Sequence, residues 1–143
     1  HHDWDFVRLA EDQIAMAVEG QWRTYSITLA WSQNDEVLRL ICTFDMDPPA
    51  ERLPQLYEVL NLANDRVWDG GFTFWSPQRL MVWRYGLVLS GDAMASPEQI
   101  DQMIGNAIMA AERFYPCFQL ACWGDATPEA AMDIAMSEAY GRA

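Results

Sequence analysis

Two groups of carboxylates are the first candidates for chemistry in this sequence. Asp45, Asp47 and Glu51 follow the end of an alternating segment, and three oxygen ligands at that spacing can hold calcium or magnesium. Asp65 and Asp69 flank a tight turn, where paired carboxylates can act as acid and base. The glycine-bearing calcium-loop pattern is missing, and aspartate is common in turns because it bonds the local backbone. We therefore expect capping, solvation and turn formation from these residues.

Other groups that usually carry chemistry are scarce. All nine basic residues are arginine, so a Schiff-base lysine and a phosphate-loop lysine are absent. The histidines are His1 and His2, which resemble the end of an expression tag and leave no internal base or zinc ligand. Cys42, Cys117 and Cys122 lack metal-binding spacing and a histidine partner. We expect these cysteines to be buried in a reducing cytoplasm, and we expect no catalytic residue, metal or cofactor.

The charge balance excludes whole classes of partner. With 21 acidic and nine basic residues, the net charge of -12 repels nucleic acid phosphates and anionic membranes. No apolar run reaches the ~20 residues that span a bilayer, because charged residues interrupt each candidate. At 143 residues and 51% apolar composition, the chain is expected to form a single domain over residues 1–143, with 1–2 as the tag remnant.

In the first third of the chain, apolar and polar residues alternate as they do in an antiparallel meander of strands. Apolar side chains occupy every second position in three segments, residues 14–18, 25–29 and 38–44. Each segment has one apolar face and one largely polar face, which predicts a sheet with helices on a single side. A further short strand is expected at residues 6–9.

The hydrophobic period then changes to that of helices. Apolar residues that recur at spacings of three and four positions predict a helix from about Ala50 to Val67. The segment Ser96 to Gln99 is a capping box that opens a long helix, which Pro116 is expected to kink or end. Thr127 to Glu129 cap a last helix. The order of elements predicts an α+β domain with an antiparallel sheet of about five strands and helices mainly on one face.

An aromatic hairpin between the helices carries the strongest functional signal. If a turn forms at residues 77–78, Phe72 faces Trp83 on one side while Trp75 faces Leu80 on the other. Both sides are therefore apolar and each must be covered. One side is expected under the domain's own helices, and the other is covered either by the last helix or by a partner or second subunit. The predicted partner-binding or dimer surface consists of Trp75, Leu80, Val82, Arg84 and Val88.

Three stretches of the sequence carry a resemblance to a known family: the turn WDGGF, the hairpin pair FW and the run RFYPCFQLACWGDATPEAAMDIA. Together with the order of elements, they make nearly the whole chain resemble the YbjN family of bacterial proteins, described as sensory transduction regulators. The resemblance implies a fold similar to type III secretion chaperones, which are small, acidic, usually dimeric and non-enzymatic, and hold a partner polypeptide. Those folds begin with a helix, which here would lie upstream of the tag-like start.

We therefore expect a cytoplasmic, non-enzymatic, YbjN-like protein that binds another protein, forms a homodimer, and binds neither nucleic acid nor membrane. The alternatives are a carboxylate-dependent hydrolase or metal enzyme, and a small-molecule sensor with an aromatic pocket. A deep cleft with converging acids is typical of an enzyme, whereas a broad apolar surface is typical of a binding module.

Overall fold

A six-stranded antiparallel sheet forms one layer of the protein in the computed structural model, which describes residues 6–141. The strands lie in the order β1-β2-β3-β4-β6-β5, so β1 and β5 form the two edges. Their bounds are β1 (Phe6–Ala10), β2 (Gln13–Glu19), β3 (Thr24–Ser32), β4 (Val37–Asp45), β5 (Gly71–Trp75) and β6 (Leu80–Val88).

The described residues form three α-helices, one between β4 and β5 and two after β6. Helix α1 (Leu53–Asn64), preceded by a short 3-10 turn, connects β4 to β5, while α2 (Pro97–Trp123) and α3 (Pro128–Gly141) follow β6. Ser96 begins α2 with both hydrogen bonds of the predicted capping box: its hydroxyl accepts from Gln99 N at 3.1 Å, and its own N–H donates to the Gln99 side chain at 2.8 Å.

Pro116 lies inside α2, and the helix continues beyond it to Trp123. The predicted alternative of a helix end at this proline is therefore wrong. A proline in a helix interior costs about 3 kcal/mol or more. The turns on both sides of it bury apolar side chains, including Phe114 and Phe118, which are 0% exposed, and this packing keeps the segment helical.

The hydrophobic core lies between the sheet and the helices. Alternate residues of the central strands point into it, as predicted, and Tyr25 of β3 and Leu40 of β4 are completely buried. Helix α3 packs against α1 and α2, and its Met132 and Ala135 belong to the same core. The last helix therefore forms part of the helical side of the protein.

The aromatic centre of this core is Phe72. Its ring lies 4.9 Å from that of Trp83, 5.6 Å from that of Phe114 and 5.0 Å from that of Phe118, in edge-to-face arrangements. The hairpin register is the predicted one, since Phe72 pairs with Trp83 and Trp75 pairs with Leu80. The aromatic hairpin thus anchors α2 to the sheet.

The α+β class and the placement of the helices on one side of the sheet agree with the sequence analysis. The sheet has six strands where about five were expected, because residues 6–10 pair with β2 as a full strand. Helix α1 ends at Asn64, earlier than the expected Val67, and the chain turns after it.

In the part of the chain that the structure describes, no helix combines the length and apolar character needed to span a membrane.

Candidate protein-binding surface

The sheet has one face that none of the described helices covers, which we call the outer face. On β4 it carries the odd-numbered residues 37–43, on β6 the even-numbered residues 80–88, and on β5 residues 71, 73 and 75. The side chains of the opposite parity belong to the core beneath the helices, with Leu40, Cys42 and Trp83 among them. The helices of the described chain therefore cover the opposite face of the sheet and leave the outer face uncovered.

All five residues predicted as a binding surface lie on the outer face. Val88 is 66% exposed, Arg84 is also exposed, and Trp75 and Leu80 are half-buried. Val82 differs, because its side chain is 0% exposed within the single chain. The hairpin pattern led us to expect that a partner would cover Val82, but the chain itself already does so. A partner on this face would contact the residues around Val82.

A groove of about 640 Å³ crosses the outer face next to Val82. Its lining includes Val37, Ile41, Trp75, Arg84 and Gly86. Two of the predicted surface residues, Trp75 and Arg84, thus lie on one groove, together with aliphatic side chains of β4 that the sequence analysis did not select. These β4 side chains could be predicted as part of the surface only if the pairing of β4 with β6 were known, and the alternation of residues within each strand does not reveal that pairing.

The groove is locally basic in an acidic protein. Arg39 also lines it and pairs with Asp35, whereas Arg84 has no ion pair among the described residues. An exposed guanidinium beside a tryptophan is a common composition at the centre of protein interfaces. Arg84 is therefore available to a carboxylate or a carbonyl of a bound molecule.

A second cavity, of about 310 Å³, lies on the helical side of β6. Its lining comprises Asp69, Trp83, Tyr85, Leu87, Gln99, Gln102, Met103 and Asn106. The side-chain amide of Asn106 donates to Asp69 Oδ2 at 3.2 Å, which connects α2 to the loop after α1. We call this space the inner cavity; it combines an aromatic and aliphatic lining with amide groups.

Glu112 on α2 forms a polar cluster that the sequence analysis missed. Its carboxylate accepts hydrogen bonds from Tyr25 Oη at 2.5 Å, from Trp22 N at 3.3 Å and from Gln21 N. A Cβ at Gly20 would lie 2.5 Å from the Tyr25 ring and 2.7 Å from Glu112 Oε1, so a larger residue there would require these side chains to shift. The partners are 87 to 91 residues apart in sequence, and no local pattern signals them.

This cluster attaches the β2–β3 turn to α2. Burial, and to a smaller extent the hydrogen bond to Glu112, raises the pKa of Tyr25 far above its ordinary value. The phenol therefore stays protonated and remains a hydrogen-bond donor. Since both carboxylate oxygens of Glu112 already accept hydrogen bonds, the arrangement is that of a structural contact.

The remaining chemical candidates do not converge. Burial raises the pKa of the Cys42, Cys117 and Cys122 thiols to about 12, which keeps them in the unreactive protonated form. Asp47 forms an ion pair with Arg79 at 3.3 Å. Within residues 6–141, histidine, cysteine and acidic side chains form no group of three or more that could hold a metal ion.

Comparison with known proteins identifies a family for this chain. The family model YbjN, with the description "Putative bacterial sensory transduction regulator", matches residues 1–120. No curated protein and no solved structure matches the chain. The likeness to type III secretion chaperones stays a prediction.

Proposed function

We propose that this chain, which belongs to the YbjN family, is a non-enzymatic regulator that acts by binding another polypeptide on the outer face of its sheet. The family description supplies the regulatory role. The observation that supports binding is the outer face itself: it lacks a covering helix in the described structure and carries a groove lined by Trp75, Ile41 and Arg84.

The composition of the groove accounts for affinity. Trp75 and Ile41 are half-buried in the free protein, so a partner would remove their remaining apolar surface from water. The strand of Ile41, β4, pairs with a strand on each side, and the strand of Trp75, β5, pairs with β6, so the surface is held in place before binding. Truncation of a central tryptophan or arginine in such interfaces typically costs ~2 kcal/mol or more.

Charge accounts for selectivity. The net charge of -12 opposes nucleic acid and other strongly acidic partners at long range. Arg84, which has no ion pair among the described residues, then favours a single acceptor group at the groove. A partner with a neutral or basic surface and one acceptor directed at Arg84 fits both requirements.

The absence of catalysis and the cytoplasmic location are part of the proposal. Both rest on the cysteines, which are free and buried, with their pKa raised to about 12, so they suit a reducing compartment and are poor nucleophiles. The carboxylate of Glu112 is engaged in structural hydrogen bonds, and Asp47 is paired with Arg79.

The proposal can be tested with the protein as affinity bait in a native bacterial lysate. We expect the wild type to retain a polypeptide in stoichiometric amount and the double variant Trp75→Ser, Arg84→Ser to lose it. Trp123→Ser is the matched control, because Trp123 is a 53% exposed tryptophan at the end of α2, in the helical layer. Equal capture by all three proteins would contradict the proposal.

A homodimer is the other occupant that the outer face could have. Sedimentation equilibrium separates the two cases, since a chain of 16.4 kDa is easily distinguished from twice that mass. A monomer leaves the face free for a different polypeptide. A dimer that dissociates in Val88→Asp, but not in Tyr57→Asp, would assign the face to a second copy.

A further inference from the structure

Strand β6 is longer than its neighbour β5, and half of it has a free edge. β5 pairs with Leu80–Arg84, where Gly71 lies opposite Arg84. Residues 85–88 continue the strand, and within residues 6–141 they pair with β4 on one side and with no strand on the other. The sheet therefore has an open edge at 85–88, which lies beside the end of β5.

Two hydrogen bonds identify the backbone groups that point to this edge. Leu89 N donates to Glu36 O at 2.8 Å and Met46 N donates to Arg79 O at 3.1 Å, so the odd-numbered residues of β6 direct their polar groups to β4. Gly86 and Val88 consequently direct N–H and C=O away from β4. Among the described residues, nothing hydrogen-bonds to these groups on the open side.

The neighbouring edge of β5 is treated differently. Phe72 also directs its backbone away from the sheet, but the Asn64 side chain accepts from Phe72 N at 2.7 Å and donates to Phe72 O at 3.1 Å. Asn64 therefore occupies the position of an additional strand at Phe72. Gly86 and Val88, by contrast, are both exposed, and no side chain in the described part of the chain bonds to their backbone in this way.

The open edge lies between the two cavities. Gly86 and Arg84 line the groove of about 640 Å³ on the outer face. Tyr85 and Leu87 line the inner cavity of about 310 Å³ on the helical side. Side chains of a β-strand alternate between the two faces of a sheet, so a strand added at this edge would direct successive side chains into the two cavities in turn.

We propose that the open half of β6 binds an extended segment of a partner polypeptide as an additional strand. The proposal rests on the proposed function and specifies how the partner binds. The segment bonds to Gly86 and Val88, places an apolar side chain in the inner cavity, and directs an acceptor side chain toward Arg84. A short extended segment suits the site because β5 fills the same edge from Gly71 onward and leaves room for few residues.

The test removes one backbone donor while it preserves the fold. In Val88→Pro the ring replaces the N–H that faces the open edge, and no described hydrogen bond of the free protein depends on that N–H. Val88→Thr is the matched control, because it retains the N–H and a β-branched side chain. Circular dichroism and thermal melting check that both variants fold.

The probe is a peptide selected from a phage-displayed random library against the wild-type protein. We expect its Kd to rise at least about tenfold in Val88→Pro and to change little in Val88→Thr, because the proline removes a hydrogen bond and its ring blocks the added strand. In the wild type, the Gly86 amide should exchange with deuterium rapidly when free and slowly with the peptide bound.

The outcomes separate this inference from the proposed function. The peptide could fail to bind the double variant Trp75→Ser, Arg84→Ser and yet bind Val88→Pro as tightly as the wild type, without protecting the Gly86 amide. This result would overturn strand addition but would still support binding on the outer face. Failure to select any peptide also overturns strand addition. If the lysate experiment also fails, both strand addition and the proposed function are overturned.

Discussion

The side-chain amide of Asn64 forms both of the hydrogen bonds that a neighbouring strand would form with Phe72, at 2.7 Å to its N–H and 3.1 Å to its carbonyl. Asn64, the last residue of α1, thereby connects the helix to β5 and covers the edge of that strand. Covering an edge in this way is a known means of preventing unwanted strand pairing. The free part of β6 lies at the same edge of the sheet, and no side chain of residues 6–141 covers it in this way.

Asn64→Ala should lower the free energy of unfolding by ~1–3 kcal/mol, because it leaves a part-buried backbone donor and acceptor without partners. Asn61→Ala is the control, since Asn61 is an exposed residue of the same helix whose side chain forms none of these bonds. Urea denaturation of the three proteins measures the difference. Equal stability of the two variants would show that the Asn64 contact contributes nothing.

Tyr25→Phe should lower the free energy of unfolding by roughly 1.5–3 kcal/mol, because the phenol donates to the Glu112 carboxylate and Tyr25 is 0% exposed. Tyr57→Phe removes the hydroxyl of a 48% exposed tyrosine and serves as the control. Chemical denaturation near neutral pH compares them. If Tyr25→Phe is as stable as the control, Glu112 does not attach the β2–β3 turn to α2 in solution.

Stability should fall steeply in alkaline solution. Burial raises the pKa of three thiols from 9.0 to about 12, and the pKa of Tyr25 is raised as well. The unfolded chain loses these protons first, so the folded state binds more protons above about pH 9, and the free energy of unfolding decreases as pH rises toward 12. Below pH 9 these groups are protonated in both states and have no such effect.

Cys42→Ala tests the origin of this pH dependence. The variant should be less stable than the wild type near neutral pH, because it leaves a small cavity, but its stability should fall less steeply between pH 9 and 12. Urea denaturation across the alkaline range gives both slopes. Parallel slopes would mean that Cys42 ionises equally in the folded and unfolded states.

Gly70→Ala should destabilise the protein. A Cβ at this position would lie 2.5 Å from the Trp83 ring and 2.7 Å from the backbone oxygen of Arg84, so the hairpin would have to shift. Gly105→Ala in α2 meets no atom within 4 Å and should stabilise by up to ~1 kcal/mol through helix propensity. The melting temperatures of the two variants should therefore shift in opposite directions from that of the wild type. A Gly70→Ala protein as stable as the wild type would show that the loop adapts.

The register of the aromatic hairpin could be predicted because it depends on local information. A turn at Pro77 and alternation in both strands suffice to pair Phe72 with Trp83. The capping box at Ser96 is local in the same sense. These parts of the fold, and the outer face that follows from the alternation, therefore agree with expectation.

The features that the sequence did not predict depend on contacts between segments that are distant along the chain. Burial of Val82 requires the pairing of β6 with β4 and β5 on both sides, and Glu112 meets Tyr25 across 87 residues. The open edge of β6 results from the difference in length between β5 and β6. None of these follows from the period of a single segment.

Site-specific photo-crosslinking in bacterial cells tests the central claim, binding of a polypeptide on the outer face, most directly. A photoreactive amino acid is placed at Val88, 66% exposed on the outer face, and separately at Tyr57, 48% exposed on α1. We predict a discrete crosslinked polypeptide from position 88 that is lost when Arg84→Ser is added, and none from position 57. Crosslinking from position 57 alone, or none from position 88, would contradict the account.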